Sequence, residues 1–149
     1  EGRGTVIPFQ KFGSPGLNAR RATNWLNTVG LPGVRFRTTD YVPRSIPQVA
    51  TEPRFRGRLV KGIEPVVTDV DKYLPLETGI YALTYLVADA RTRGFRKPYV
   101  NRRMFHLISG TKRLHRMLMA GEPAGAIIAA WRTEVATFKR QRKPYLLYR

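Results

Sequence analysis

The chain has 149 residues, which suits one domain, and a hydrophobic share of 42% is enough for a real core. Cysteine is absent, which excludes disulfides and thiolate chemistry and fits a cell-envelope or a cytosolic protein equally. A formal net charge of +17, from 27 Lys and Arg against 10 Asp and Glu, implies attraction to polyanions: nucleic acid, anionic cell wall or anionic membrane surface.

The opening stretch is Glu1-Gly2-Arg3-Gly4-Thr5, followed by Pro8-Phe9. Its glycines let the backbone turn sharply and approach a ligand closely. An extended conformation points Glu1 and Arg3 to one side, an acid or base beside a cation that tunes it or grips an anion. The competing reading is a mobile terminus. A start at Glu rather than Met is expected of a processed or excised piece, and no signal peptide is visible.

Residues 6–16 read as a short extended piece ending in the Gly13-Ser14-Pro15-Gly16 turn. A helix is expected over 17–29, with Ala22, Trp25, Leu26 and Val29 on one face; on such a face Trp25 is core. Gly30 and Pro32 stop it. Residues 34–41 read as a strand, and 42–53, with three prolines, as a loop. Residues 57–70 are the second strand region, where Pro65 argues for an edge or a bulge and Asp69 and Asp71 close the end.

A helix over 77–93 carries the stripe Ile80, Leu83, Leu86 and Val87. Residues 95–101 read as basic and irregular. Phe105, Leu107 and Ile108 make a short apolar segment before Gly110. Thr111 caps a helix to Ala120, with Leu114 and Leu118 inward. The last helix starts near Pro123 and runs to about Arg142, with Ile127, Trp131, Val135 and Phe138 as its core stripe. Pro144 stops it, and Tyr145-Leu146-Leu147-Tyr148 is a short β-prone end tied into the sheet or packed on it. No segment is long and apolar enough for a transmembrane helix. The fold expected is α+β, a single domain with a small mixed or antiparallel sheet packed against about four helices.

His106 and His115, far apart in sequence and without cysteine partners, make no credible metal site, and His115 among arginines reads as a surface residue. No phosphate loop or dinucleotide fingerprint appears. Carboxylates are scarce, so each one is informative. Glu1, Asp69, Asp71 and Glu77 lie at expected loop or strand ends, from which catalytic side chains project. Glycoside hydrolysis needs two carboxyls flanking the bond, and Glu1 and Asp69 are a candidate pair. The competing readings make Asp69 a turn cap, evenly weighted, and Glu77 a helix cap, which we prefer. Arginines mix with aromatics in Arg54-Phe55-Arg56-Gly57-Arg58 and again over 93–99, a mixture that suits base stacking with phosphate contact. No helix-turn-helix, zinc module or RNA-recognition signature accompanies them.

The succession of motifs resembles the C-terminal domain of the NamZ-type exo-β-N-acetylmuramidases, long catalogued as a domain of unknown function. The stretches that carry the resemblance are Glu1-Gly2-Arg3-Gly4-Thr5 with Pro8-Phe9, Gly13-Ser14-Pro15, Leu31-Pro32-Gly33-Val34-Arg35-Phe36 and Tyr41-Val42-Pro43. Val67-Thr68-Asp69, Thr78-Gly79, Ser109-Gly110-Thr111, Gly121, Trp131, Phe138 and Tyr145-Leu146-Leu147-Tyr148 continue it over nearly the whole chain. A departure is Gly16, where the family often has Trp.

The resemblance implies release of N-acetylmuramic acid from the non-reducing end of peptidoglycan fragments of the MurNAc-GlcNAc type. It implies no cofactor, and a location in the cell envelope, the periplasm or outside the cell. A Rossmann-like N-terminal domain, absent from this chain, is expected ahead of Glu1, with this chain as one wall of a shared cleft. Glu1 and Asp69 are then the catalytic candidates, and Arg3, Thr5 and Thr68 the substrate-binding ones. Arg3 is a fitting partner for the lactyl carboxylate of muramic acid. The alternative from another class is a basic, non-catalytic binding or structural module associated with RNA or a ribonucleoprotein, held by non-specific charge.

Overall fold

The computed structural model describes residues 1–94 and 101–147, so the expectations for residues 95–100 and for Tyr148 lie outside the described residues. The chain divides into two compact units, Glu1–Pro75 and Leu76–Arg149. Its class is α+β: three antiparallel strands, six α-helices and a 3-10 turn among the described residues. None of these helices is long and apolar enough to cross a membrane.

The first unit contains β1 (Phe12–Ser14), α1 (Ala19–Val29), β2 (Val34–Tyr41) and β3 (Val60–Val67), with the strands ordered β1-β3-β2. Asn18 caps α1, its side-chain oxygen accepting from the Arg21 amide at 3.0 Å, and Gly30 ends the helix in the left-handed conformation. α1 lies against β2 and β3 and buries Ala19, Ala22, Thr23 and Leu26. Trp25 is 38% exposed, contrary to the expected core role: it sits at the edge of the stripe that Ala22 and Leu26 centre. Val34 and Phe36 of β2 are buried and share one face of the sheet with Ile63 of β3, while Val60, paired with Tyr41, is buried on the other face.

Asn27 of α1 does for β2 what another strand would do. Its Nδ2 donates to the Phe36 carbonyl and its Oδ1 accepts from the Phe36 amide, both at 2.9 Å. The outer edge of β2 is thereby blunted at its middle. The same geometry explains Pro65, which stands opposite Phe36. Because Phe36 turns its backbone groups outward to Asn27, this pair shares no ladder bonds, and proline loses nothing there.

In the second unit, α2 (Pro75–Thr92) is followed by α3 (Arg102–Ser109), α4 (Arg113–Ala120), α5 (Ala124–Ala129), α6 (Arg132–Arg142) and a 3-10 turn (Lys143–Tyr145). Its core is Ile80, Leu114, Leu118, Ala124 and Ile127, with Phe105 and Trp131 packed against it. The apolar segment at 105–108 is a helix. Asn101 starts it, its side-chain oxygen accepting from the Met104 amide at 3.1 Å, and Gly110 ends it. Leu107 and Ile108 stay 68% and 80% exposed, whereas His106 and His115 are half-buried and meet edge to face with ring centroids 5.0 Å apart. The expectation of a surface His115 is thus corrected, because the turn at 110–112 folds α4 back on α3.

The long last helix is two helices. The Arg113 guanidinium donates to the Ala130 carbonyl at 3.0 Å and to the Glu134 carboxylate at 2.7 Å. That satisfies the carbonyl freed where the chain leaves helical geometry at Trp131. The core stripe ends there, and Val135 and Phe138 are 46% and 60% exposed. Residues 143–147 hold no strand; Tyr145 and Leu147 are almost fully exposed. The β-prone end expected of this segment is therefore corrected as far as residue 147.

Candidate functional site

The opening stretch turns rather than extends. Gly2 and Gly4 both adopt positive φ, at 65° and 78°. The Phe9 amide donates to the Glu1 carbonyl at 2.7 Å, and the Thr5 hydroxyl donates to the Gly2 carbonyl at 2.7 Å. The Arg44 amide donates to the Gly4 carbonyl at 2.9 Å, which ties the stretch to the 42–53 loop. A Cβ at Gly4 would lie 2.6 Å from both the Arg44 carbonyl oxygen and Pro53, so the backbone there is in full contact with the body. The segment is docked, and the reading of a mobile terminus is set aside.

Docking brings Glu1 and Arg3 together by turns instead of by strand alternation. Their carboxylate and guanidinium stand 3.9 Å apart, both more than half exposed. They share a cavity of about 90 Å³ whose wall also includes Gly2, Tyr41, Arg54 and Phe55. Tyr41 is half-buried, and its hydroxyl is pushed up from the usual tyrosine range by burial and then by the charge of Glu1, with the Gly2 backbone opposing. The Lys11 ammonium lies 5.6 Å from the centre of the Tyr41 ring. Among the described residues, Glu1 supplies the only carboxylate in this cavity wall.

Three arginines are set on aromatic faces nearby. Arg3 lies over Phe9 at 5.4 Å, and Arg54 and Arg58 lie over Phe55 at 4.8 and 6.0 Å. The arginine-aromatic mixture at 54–58 is therefore folded on itself, with guanidinium groups where a base would stack. Phe9 and Phe55 both have positive φ, 65° and 61°, which costs a non-glycine residue on the order of 1–3 kcal/mol each. A second cavity of about 420 Å³ is lined by Phe9, Gln10, Tyr73, Arg37 and the end of β3.

The other candidates lie elsewhere. Asp69 Oδ1 accepts from the amides of Asp71 and Lys72 at 3.1 and 3.3 Å, and Oδ2 pairs with the Lys72 ammonium at 2.8 Å. Lys72 holds this carboxyl below the usual aspartate range. Asp69 lines neither cavity. Thr68 is exposed, its amide donating to the Gly33 carbonyl at 2.9 Å. Thr5 is half-buried, its hydroxyl engaged in the opening turn. Tyr41, Arg54 and Phe55 are neighbours of Glu1 that sequence reasoning missed. Tyr41 stood in a recognisable motif, but its pairing with Glu1 spans forty residues and has no local signature.

The chain is 28% identical over 148 residues to the peptidoglycan β-N-acetylmuramidase NamZ of Bacillus subtilis, covering 99% of this chain and 33% of that protein. The crystal structure of a DUF1343 family protein from Bacteroides fragilis superposes with a TM-score of 0.82 at 25% identity, covering 98% of this chain and 37% of that one. The chain thus spans about a third of the length of these relatives. The sequence profile of the family described as exo-β-N-acetylmuramidase NamZ, C-terminal, matches residues 1–148, and the chain belongs to that family.

Proposed function

We propose that this chain is the substrate-facing C-terminal part of an exo-β-N-acetylmuramidase, and that the cavity at Glu1 and Arg3 receives the non-reducing-end N-acetylmuramic acid of peptidoglycan fragments. The observation that carries the reading is the docked opening stretch, which holds an acid and a guanidinium together at a concavity. Arg3 takes the lactyl carboxylate, and Arg54 adds positive charge to the same wall. Glu1 serves as the acid or as an electrostatic stabiliser beside the sugar.

Glycoside hydrolysis needs a second carboxyl, and among the described residues the wall of this cavity supplies one alone. The second comes from the remainder of the protein, which we propose is a Rossmann-like N-terminal domain completing the cleft. Asp69, with both carboxylate oxygens engaged, holds the turn after β3 that carries Thr68. Such an enzyme works in the cell envelope, in the periplasm or outside the cell, where its substrate is.

The test is Glu1→Gln in the complete enzyme, assayed by release of muramic acid. Loss of at least ~10²-fold in turnover is expected of a general acid or base. Near-normal turnover removes Glu1 from the mechanism. This chain by itself, lacking the second carboxyl, is expected to hydrolyse little.

A further inference from the structure

Helix α3 is amphipathic the wrong way round. Phe105, His106 and Ser109 share the face turned to the body and are half-buried. Phe105 packs against the core of the second unit, and both Phe105 and His106 meet the His115 ring, with centroids 6.0 and 5.0 Å apart. Met104, Leu107 and Ile108 share the opposite face, and all three are more than half exposed. Residues three and four apart on a helix are neighbours, so these side chains form one continuous apolar patch. The inward face is the poorer one to bury: His106 Nε2 is enclosed without a hydrogen-bond partner among the described residues. A helix that keeps a histidine and a serine inside and leaves Met, Leu and Ile outside has an apolar face that awaits a cover. The patch is also preformed, because Asn101 caps the helix at its start and Gly110 turns the chain at its end.

The charges around the patch decide what covers it. Residues 101–121 contain no carboxylate, while Arg102 and Arg103 precede the patch and Lys112 follows it. The carboxylates of the second unit are Glu77, Asp89, Glu122 and Glu134, and of these Asp89 and Glu134 are taken up by Arg93 and Arg113. Among the described residues, no carboxylate forms a salt bridge with Arg102, Arg103 or Lys112. A protein face closing over the patch must therefore bring an anion to each cation or bury it unpaired, which is costly. A nucleic acid or a wall polymer satisfies the cations and leaves the apolar side chains in water. An anionic bilayer surface does both: the hydrocarbon below the headgroups takes the apolar side chains, and lipid phosphates take the cations, whose long stems keep the charge at headgroup level. The net charge of +17 draws the whole chain to such a surface.

We propose that α3 is a membrane-surface docking helix, lying in the plane of an anionic lipid bilayer with Met104, Leu107 and Ile108 below the headgroups and Arg102, Arg103 and Lys112 on the lipid phosphates. The helix lies on the bilayer and does not cross it. One short helix gives weak, reversible attachment, part of it screened by salt and part of it not. The proposal does not rest on the muramidase reading.

The experiment is sedimentation of the 149-residue chain with extruded vesicles, either of phosphatidylcholine alone or of equal parts phosphatidylcholine and phosphatidylglycerol. The chain is expected to sediment with the anionic vesicles and to stay in solution with the neutral ones. Leu107→Ser combined with Ile108→Ser changes two exposed positions that the fold tolerates, and is expected to weaken binding at least about tenfold. Arg102→Gln, Arg103→Gln and Lys112→Gln are each expected to weaken it about fivefold. Since the chain has no cysteine, Ile108→Cys carries a unique environment-sensitive fluorophore, whose emission is expected to shift to the blue on the anionic vesicles. Failure to sediment with anionic vesicles, or a fluorophore that stays in water while the chain is bound, overturns the proposal. Binding that the serine pair leaves unchanged also overturns it, since net charge alone then holds the chain, as it would to RNA. If this chain binds and the complete enzyme does not, the patch belongs to a contact within that enzyme and the proposal falls. None of these results bears on muramic acid release by Glu1→Gln, so the two readings stand or fall separately.

Discussion

Gly4→Ala tests whether the site exists because the opening stretch is docked. The new methyl meets the Arg44 carbonyl oxygen and the Pro53 ring at 2.6 Å, with φ at 78°. The left-handed backbone alone costs an L-residue about 1–2 kcal/mol. Overpacking against a backbone carbonyl and a proline, neither of which can swing aside, adds about 1–3 kcal/mol. Gly57→Ala is the control: φ is 72° and nothing lies within 4 Å of the added methyl, so only the first cost applies.

Urea denaturation of the two variants should therefore differ by about 1–3 kcal/mol, with Gly4→Ala the less stable. If the segment instead yields, the loss appears locally. The Arg44 amide, which donates to the Gly4 carbonyl, and the Phe9 amide, which donates to the Glu1 carbonyl, then lose protection from exchange, and the complete enzyme loses activity. Equal midpoints for both variants, with both amides still protected, refute the reasoning.

In the second unit, Ile127→Ala empties a fully buried position and is expected to cost about 2–5 kcal/mol, whereas Phe138→Ala stays within about 0.5 kcal/mol, both by urea denaturation; a large loss at Phe138 contradicts the broken last helix. Asn27→Ala removes both bonds to the Phe36 backbone and is expected to cost about 1–3 kcal/mol and to raise self-association through the bared β2 edge, seen by light scattering. His106 is held below the ordinary histidine range by burial, then by His115, Arg102 and Lys112. A lowered folded-state value means that its contribution to stability is present above the unfolded value of about 6.5 and is lost as pH falls through the folded one. The urea midpoint should thus fall between pH 7 and pH 5 in the parent and fall less in His106→Phe; parallel declines count against the assignment.

Elements with local punctuation were legible in the sequence. Helix α1 ends at Gly30, β2 spans the expected 34–41, and Gly110 and Gly121 bracket α4, because caps and positive φ are decided within a few residues. The helix at 102–109 was missed because its cap, Asn101, followed a basic stretch that masked the signal. The run after Pro123 was read as one helix because periodicity does not register a break that Arg113, seventeen residues before Ala130, holds in place. At the site, Glu1 and Arg3 were singled out from their spacing, yet what pairs them is two left-handed glycines rather than strand alternation.

The sequence by itself determined the α+β class, the family and the opening acid-guanidinium pair, since these rest on composition, local order and motif succession. Only the tertiary structure decided which groups surround Glu1, that Asp69 is bound up in its own turn, and that α3 turns its apolar face outward. Those facts depend on backbone groups and on contacts between residues far apart in the chain, and such contacts leave no periodic trace in the sequence.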